Sequence, residues 1–229
     1  MERKDIPDKS FKSRLSYMVL ACLVVCFGVV IALFSNQSAA ADVQEEQHTL
    51  TARQRDMLAQ WQEHLKYEFE TKHTDDTIST MVSECSVVHI PTLTGGSGHE
   101  MLRQFYRDHF ISRMPECDMS GLKRVIGHDR IVDEFVFSFN HDIEMDWMLP
   151  GLAPTGKHVE VPFVVVVEFE DGHLQGERIY WDQATVLVQI GLLSPHGLPV
   201  AQGFEQAQVF KGLIPVNNHM IPNWKADNA

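Results

Sequence analysis

The order of periodicities in this sequence predicts an α+β domain, helices first and an antiparallel sheet after them, behind one hydrophobic N-terminal segment. Three observations predict it. Apolar residues recur at steps of three and four as far as Arg113; from Glu134 onward the step is two; and a single uncharged apolar run stands ahead of both.

The apolar run comes first. Arg3, Lys4, Lys9, Lys12 and Arg14 precede an uncharged stretch from Tyr17 to Phe34. At 1.5 Å per residue that stretch spans about 27 Å, close to a bilayer core. Ser38-Ala39-Ala40-Ala41 follows, and Ala39 and Ala41 fit a small-x-small cleavage pattern. Residues 1–41 therefore read as a signal peptide or a signal anchor. Cleaved export and an uncleaved anchor through residues 17–34 both stay open. Either way the positives remain cytoplasmic and the domain lies outside, membrane-anchored or secreted or periplasmic after cleavage near Ala41. Residues 42–50 read as a linker, 51–193 as the domain and 194–229 as an irregular extension packed on it.

Within the domain, Met57, Leu58, Trp61, Leu65 and Phe69 mark a first helix, with Thr51 as a plausible N-cap. Asp75 to Glu84 gives a second, with Ile78, Met81 and Val82 on one side. Ser86 to Ile90 is strand-like and ends at Pro91. Thr92 to Gly98 is a glycine-rich loop. His99 to Arg113 carries the stripe Leu102, Phe105, Tyr106 and Phe110, and Pro115 stops it. Phe135, Phe137, Phe139, His141, Ile143, Met145 and Trp147 then alternate with mostly polar residues. Val159 to Phe169 forms the next strand, Asp171-Gly172 a hairpin turn, and His173 to about Val188 a third strand. Glu205 to Leu213 reads as a short helix.

The chain has 229 residues and a formal charge of −12, and the N-terminal segment is net positive, so the domain is more acidic still. Such a surface repels nucleic acid, which is not expected as a partner. Cys85 and Cys117 could bridge in an oxidising compartment or remain buried thiols. The glycine loop lacks the lysine of a phosphate-binding loop, and Ser97 reads as a helix N-cap. Asp142, Glu144 and Asp146 share one strand face with His141 on the other, so no metal site is expected there.

Two polar residues sit in apolar surroundings. His141 lies within an aromatic stripe, either bonded to a backbone carbonyl or projecting into a cavity. Asp182 follows Tyr180-Trp181; it reads as a general base of raised pKa or as a structural residue bonded to Arg178 or to the loop after Gly191.

Pro154-Thr155-Gly156-Lys157, Asp171-Gly172, Glu177-Arg178-Ile179-Tyr180-Trp181-Asp182 and Gln189-Ile190-Gly191 together resemble the nuclear transport factor 2-like superfamily, and within it the SnoaL-like polyketide cyclases. The resemblance runs from about residue 71 to 193. It implies a cone-shaped curved antiparallel sheet packed on helices around a pocket. It maps the acid–base residue onto Asp182, with His141 in the same pocket. Tyr106, Trp147 and Trp181 would supply aromatic walls, and His73 and Asp76 the mouth. The expected ligand is a small apolar, carbonyl-type molecule, with no cofactor and no metal. A non-catalytic ligand-binding module, or a possible homodimer formed through the sheet, is the other reading, because this fold does not settle function.

Overall fold

The computed structural model describes residues 50–224. The apolar run at 17–34, the cleavage pattern near Ala41 and most of the linker lie outside them. Among the described residues no helix is long and apolar enough to cross a membrane.

Helix α1, Ala52–Leu65, runs on into a π-helical turn, Lys66–Glu70. Its buried residues are Met57, Trp61, His64 and Glu68. They stand at steps of four, three and four, so one stripe faces the sheet. Two of the four are ionisable. Helix α2 is only Thr74–Ser79, because strand β1, Met81–His89, begins at once. The residues expected to extend the second helix alternate inward and outward in that strand instead.

Strand β2, Thr94–Ser97, folds back on β1. The glycine-rich stretch is thus an edge strand. A Cβ on Gly95 would lie 2.0 Å from the Val87 carbonyl oxygen, so only glycine permits this approach. Ser97 holds the N-cap position of α3, Gly98–Gln104, but makes no side-chain cap bond. A second π-helical turn, Phe105–Phe110, and a short 3₁₀ turn complete the predicted third helix up to Arg113.

Four strands follow. They are β3, Cys117–Ile126; β4, Arg130–Asn140; β5, His158–Glu170; and β6, His173–Trp181. Strand β3 was not read from the sequence. The six strands form one sheet in the order β2-β1-β6-β5-β4-β3. Strands β4 to β6 are the expected antiparallel meander, and β3 extends it by one antiparallel strand. Strands β1 and β6 pair in parallel, so the sheet is mixed, not wholly antiparallel. The predicted hairpin is present, with both Asp171 (φ 49°) and Gly172 (φ 85°) left-handed, as its tight turn requires.

Two predicted strands end early. Strand β4 stops at Asn140, and His141 adds one further pair to the turn before β5. Residues from Met145 to Leu149 then coil back into the core, closed by Leu149 N–H donating to Met145 O at 2.7 Å. The Thr92 and Thr94 hydroxyls both donate to Trp147 O, at 3.0 and 2.6 Å. The acidic trio is therefore not a strand face: Asp146 contacts His109 and Glu144 contacts Arg113, at 3.0 and 2.9 Å.

Strand β6 stops at Trp181, where helix α4, Gln183–Gln189, begins. This leaves β5 without a neighbour near Glu160. The Gln189 side chain takes that place, accepting from Glu160 N and donating to Glu160 O, both at 2.9 Å. Pro162 lies two residues on, before pairing with β6 starts at Phe163, where its missing N–H costs no ladder bond. Helix α5, Glu205–Phe210, packs on β5. Cys85 and Cys117 are both free thiols.

Candidate functional site

Helices α1 and α3 and their π-turns cover the inner face of the sheet, leaving a cavity between. Its free volume is about 120 Å³. That is room for roughly four waters at liquid density, so a single small ring fills it and a second ring extends into its open side. Register fixes what the wall presents. One row across the sheet reads His89, Ile179, Val165, Asp133 and Arg124; the next reads Val87, Glu177, Val167, Ile131 and Ile126. Phe135, Phe137 and Phe163 continue the wall, and Phe105, Phe110 and Trp147 close it from the helical side.

One end is a buried polar cluster. His64 Nε2 lies 3.1 Å from Glu68 Oε1 and 3.1 Å from Glu177 Oε1. Tyr106 Oη is 3.4 Å from the same nitrogen. The other nitrogen, Nδ1, is 2.6 Å from Thr80 Oγ1. That hydroxyl spends its proton on Thr77 O, so it can only accept from Nδ1–H. Both imidazole nitrogens then act as donors. Burial alone would lower the His64 pKa, but the Glu68 and Glu177 carboxylates outweigh it and push it up to about 10. Glu177 Oε1 is near Nε2 but out of line with its N–H, and has no hydrogen-bond partner. Burial raises the Glu177 pKa, opposed by His64. Burial likewise pushes Tyr106 well up and keeps its hydroxyl a donor.

His64, Glu68 and Glu177 are also the only set among the described residues close enough to ligate one metal ion. Beside them Asp133 is saturated. It accepts from Trp61 Nε1 at 2.8 Å and from Arg124 Nε and Nη2, each at 2.6 Å.

The other end is aromatic. His89 stands among Trp147, Phe110 and Phe105, with ring centroids at 4.9, 5.9 and 6.2 Å. Neither of its nitrogens has a partner. Burial pushes its pKa down to about 3, so it is a neutral imidazole.

The structure divides the residues expected from the sequence. Tyr106 and Trp147 line the cavity. Trp181 backs it, stacked on Phe163 at 6.2 Å. His73 and Asp76 pair with each other at 3.1 Å on the exposed surface. His141 is buried outside the cavity with Nδ1 3.1 Å from Thr155 Oγ1, and burial lowers its pKa. Asp182 is the N-cap of α4. It accepts from Ala184 N, Thr185 N, Thr185 Oγ1 and Gln206 Nε2. Burial alone would raise its pKa, but those bonds outweigh it and hold the carboxyl below the usual range. The raised base expected at Asp182 is therefore replaced by a structural cap, and the pair Asp182–His141 does not meet across the cavity.

Glu68, His64, Glu177 and His89 were missed as site residues. A signal existed for two of them: His64 and Glu68 each lie seven residues after an apolar member of the stripe, Met57 and Trp61. For Glu177 and His89 the signal is the inward phase of β6 and β1, which needs the register.

A family model described as a SnoaL-like domain matches residues 42–176. No curated protein matches the sequence. Among solved structures, a polyketide cyclase-like protein of Xanthomonas campestris is 12% identical with a TM-score of 0.50, over 61% of this chain and 100% of its own. A SnoaL-like protein of Jannaschia sp. is 17% identical with a TM-score of 0.50, over 63% of this chain and 98% of its own. A phenazine biosynthesis-related protein of Pseudomonas aeruginosa is 13% identical with a TM-score of 0.50, over 62% of this chain and 85% of its own. Identities this low carry likeness of fold.

Proposed function

Because the chain belongs to the SnoaL-like domain family, we propose that its cavity binds a small, mostly apolar molecule with a carbonyl-type oxygen, and that Glu177 exchanges a proton with it. The observation that carries this reading is the Glu177 carboxyl oxygen, buried without a hydrogen bond in the wall of an aromatic cavity. A buried polar atom left unpaired costs free energy, which a ligand group can recover. A carboxyl of raised pKa also keeps a proton to return and is the stronger base once ionised. Tyr106 O–H would hold the ligand oxygen on which charge develops, in surroundings that exclude water. The His64–Glu68 pair would keep the second carboxylate neutralised beside it.

The test uses a bicyclic ketone, 2-tetralone, in D₂O. Wild-type protein should speed exchange of the protons next to its carbonyl, read by NMR. Glu177→Gln should lose 10²–10⁴-fold of that acceleration, the usual weight of acid–base catalysis, while still binding the ketone. Binding without any acceleration by wild type would leave a ligand-binding module and end the catalytic reading.

The positively flanked apolar run at 17–34 supports placing this domain outside the cytoplasm, tethered or released near Ala41. Protease protection of the domain in intact cells, lost on permeabilising the outer layers, would support that placement; cleavage by a cytoplasmic protease would refute it.

A further inference from the structure

We propose that His89 selects ligands with a second oxygen function, a hydroxyl or carbonyl at the end of the molecule away from Glu177. This rests on the cavity reading above and names what the ligand must carry.

Register supplies the geometry. His89 pairs with Ile179 and Glu177 pairs with Val87, so the two lie one strand across and two residues along on the same inward face. From strand spacing and rise, their Cα atoms are about 8 Å apart. Both line the cavity. A small ring compound that meets Glu177 with one end therefore brings its other end to His89.

The surroundings make His89 the available group. The Thr92 and Thr94 hydroxyls are both spent on Trp147 O. Trp147 Nε1 reaches Arg113 O at 3.4 Å. The Asp133 carboxylate is engaged by Trp61 Nε1 and by Arg124 Nε and Nη2. Among the described residues that line the cavity, His89 keeps both an unused donor and an unused acceptor, 1% exposed within a box of rings. A phenyl ring would fill that box without leaving unpaired nitrogens, so packing does not account for a histidine here. Held neutral by burial, the ring can donate to a carbonyl or hydroxyl from one nitrogen or accept from a hydroxyl at the other, and has no charge with which to hold an anion.

Three probes test this on the full chain: tetralin, 2-tetralone and 6-hydroxy-2-tetralone, which carry no, one and two oxygen functions. Binding is read from the fluorescence of Trp61 and Trp147, which line the cavity. In wild type the hydroxyketone should bind roughly tenfold tighter than the ketone, the scale of one recovered buried hydrogen bond. His89→Phe should bring that ratio to about one while 2-tetralone affinity stays within about twofold, which also shows that the variant is folded. His89→Gln, which keeps a donor and an acceptor, should retain part of the preference. Equal affinity of wild type for both ketones, or a preference that survives in His89→Phe, would overturn the proposal and leave the cavity reading standing. If none of the three binds, both readings fall together.

Discussion

The two ends of the cavity each hold a fully buried histidine, and the protein treats them in opposite ways. At one end His64 meets two carboxylates, a tyrosine and a threonine, and its pKa is pushed up to about 10. At the other His89 meets only rings, and its pKa is pushed down to about 3. Burial acts on both in the same direction. Partners alone separate them. The difference teaches that the first end is an ion-pair cluster, whose spare capacity is one carboxyl oxygen, and the second is a neutral imidazole with both nitrogens left open.

The strongest way to break this contrast is His64→Leu. It leaves the Glu68 and Glu177 oxygens converging with no cation between them. Removing one member of a buried pair typically costs about 3–5 kcal/mol. Urea unfolding at pH 7 should show a loss of that size, and a loss under 1 kcal/mol would mean the cluster is not neutralised as described. His89→Phe at the same pH should change stability far less.

A pH series sharpens the contrast. A histidine raised in the folded state stabilises below its unfolded value near 6.5, and that contribution is lost as pH rises through about 10. A histidine depressed in the folded state does the reverse: its contribution is present above 6.5 and is lost as pH falls toward 3. Between pH 7.5 and 5 the His89 share amounts to about 2 kcal/mol. His141, also lowered, adds to the acid side. His89→Phe should therefore flatten the acid limb of the urea-midpoint profile and leave the alkaline limb unchanged. Unaltered loss on the acid side would show that His89 can take up a proton in the folded state.

The smallest effect is expected away from both ends. Asp182→Ala removes a helix N-cap, worth about 1 kcal/mol, and should leave binding of 2-tetralone unchanged. A Kd shift of tenfold or more at this position would return Asp182 to the site.

The sequence showed the helices and the β3–β6 meander's last three strands because their periods differ, and the Asp171-Gly172 turn because its residues tolerate left-handed backbone. It hid β3, whose inward and outward residues do not alternate cleanly across the irregularity between Ser120 and Lys123. It also overextended β4, because Met145 and Trp147 keep a strand-like phase while coiling into the core. The recognisable motifs proved to be joints. Thr155 holds His141, Asp182 caps α4 and Gln189 completes the edge of β5. The groups lining the cavity come from positions whose meaning depends on which strand lies beside which. Glu177 stood in plain view beside Asp182, but only pairing with β1 places it against α1.

The parallel junction of β1 with β6 also bears on when the binding chamber comes into being. The meander pairs neighbours in the chain, whereas His89 and Ile179 are joined across some ninety intervening positions. Closing so long a loop carries an entropic cost that local hairpins avoid, so the junction is expected to follow them during folding. The cavity would then be assembled last, from a sheet already half built, and pulse-labelled amide exchange would find β4 and β5 protected ahead of β1.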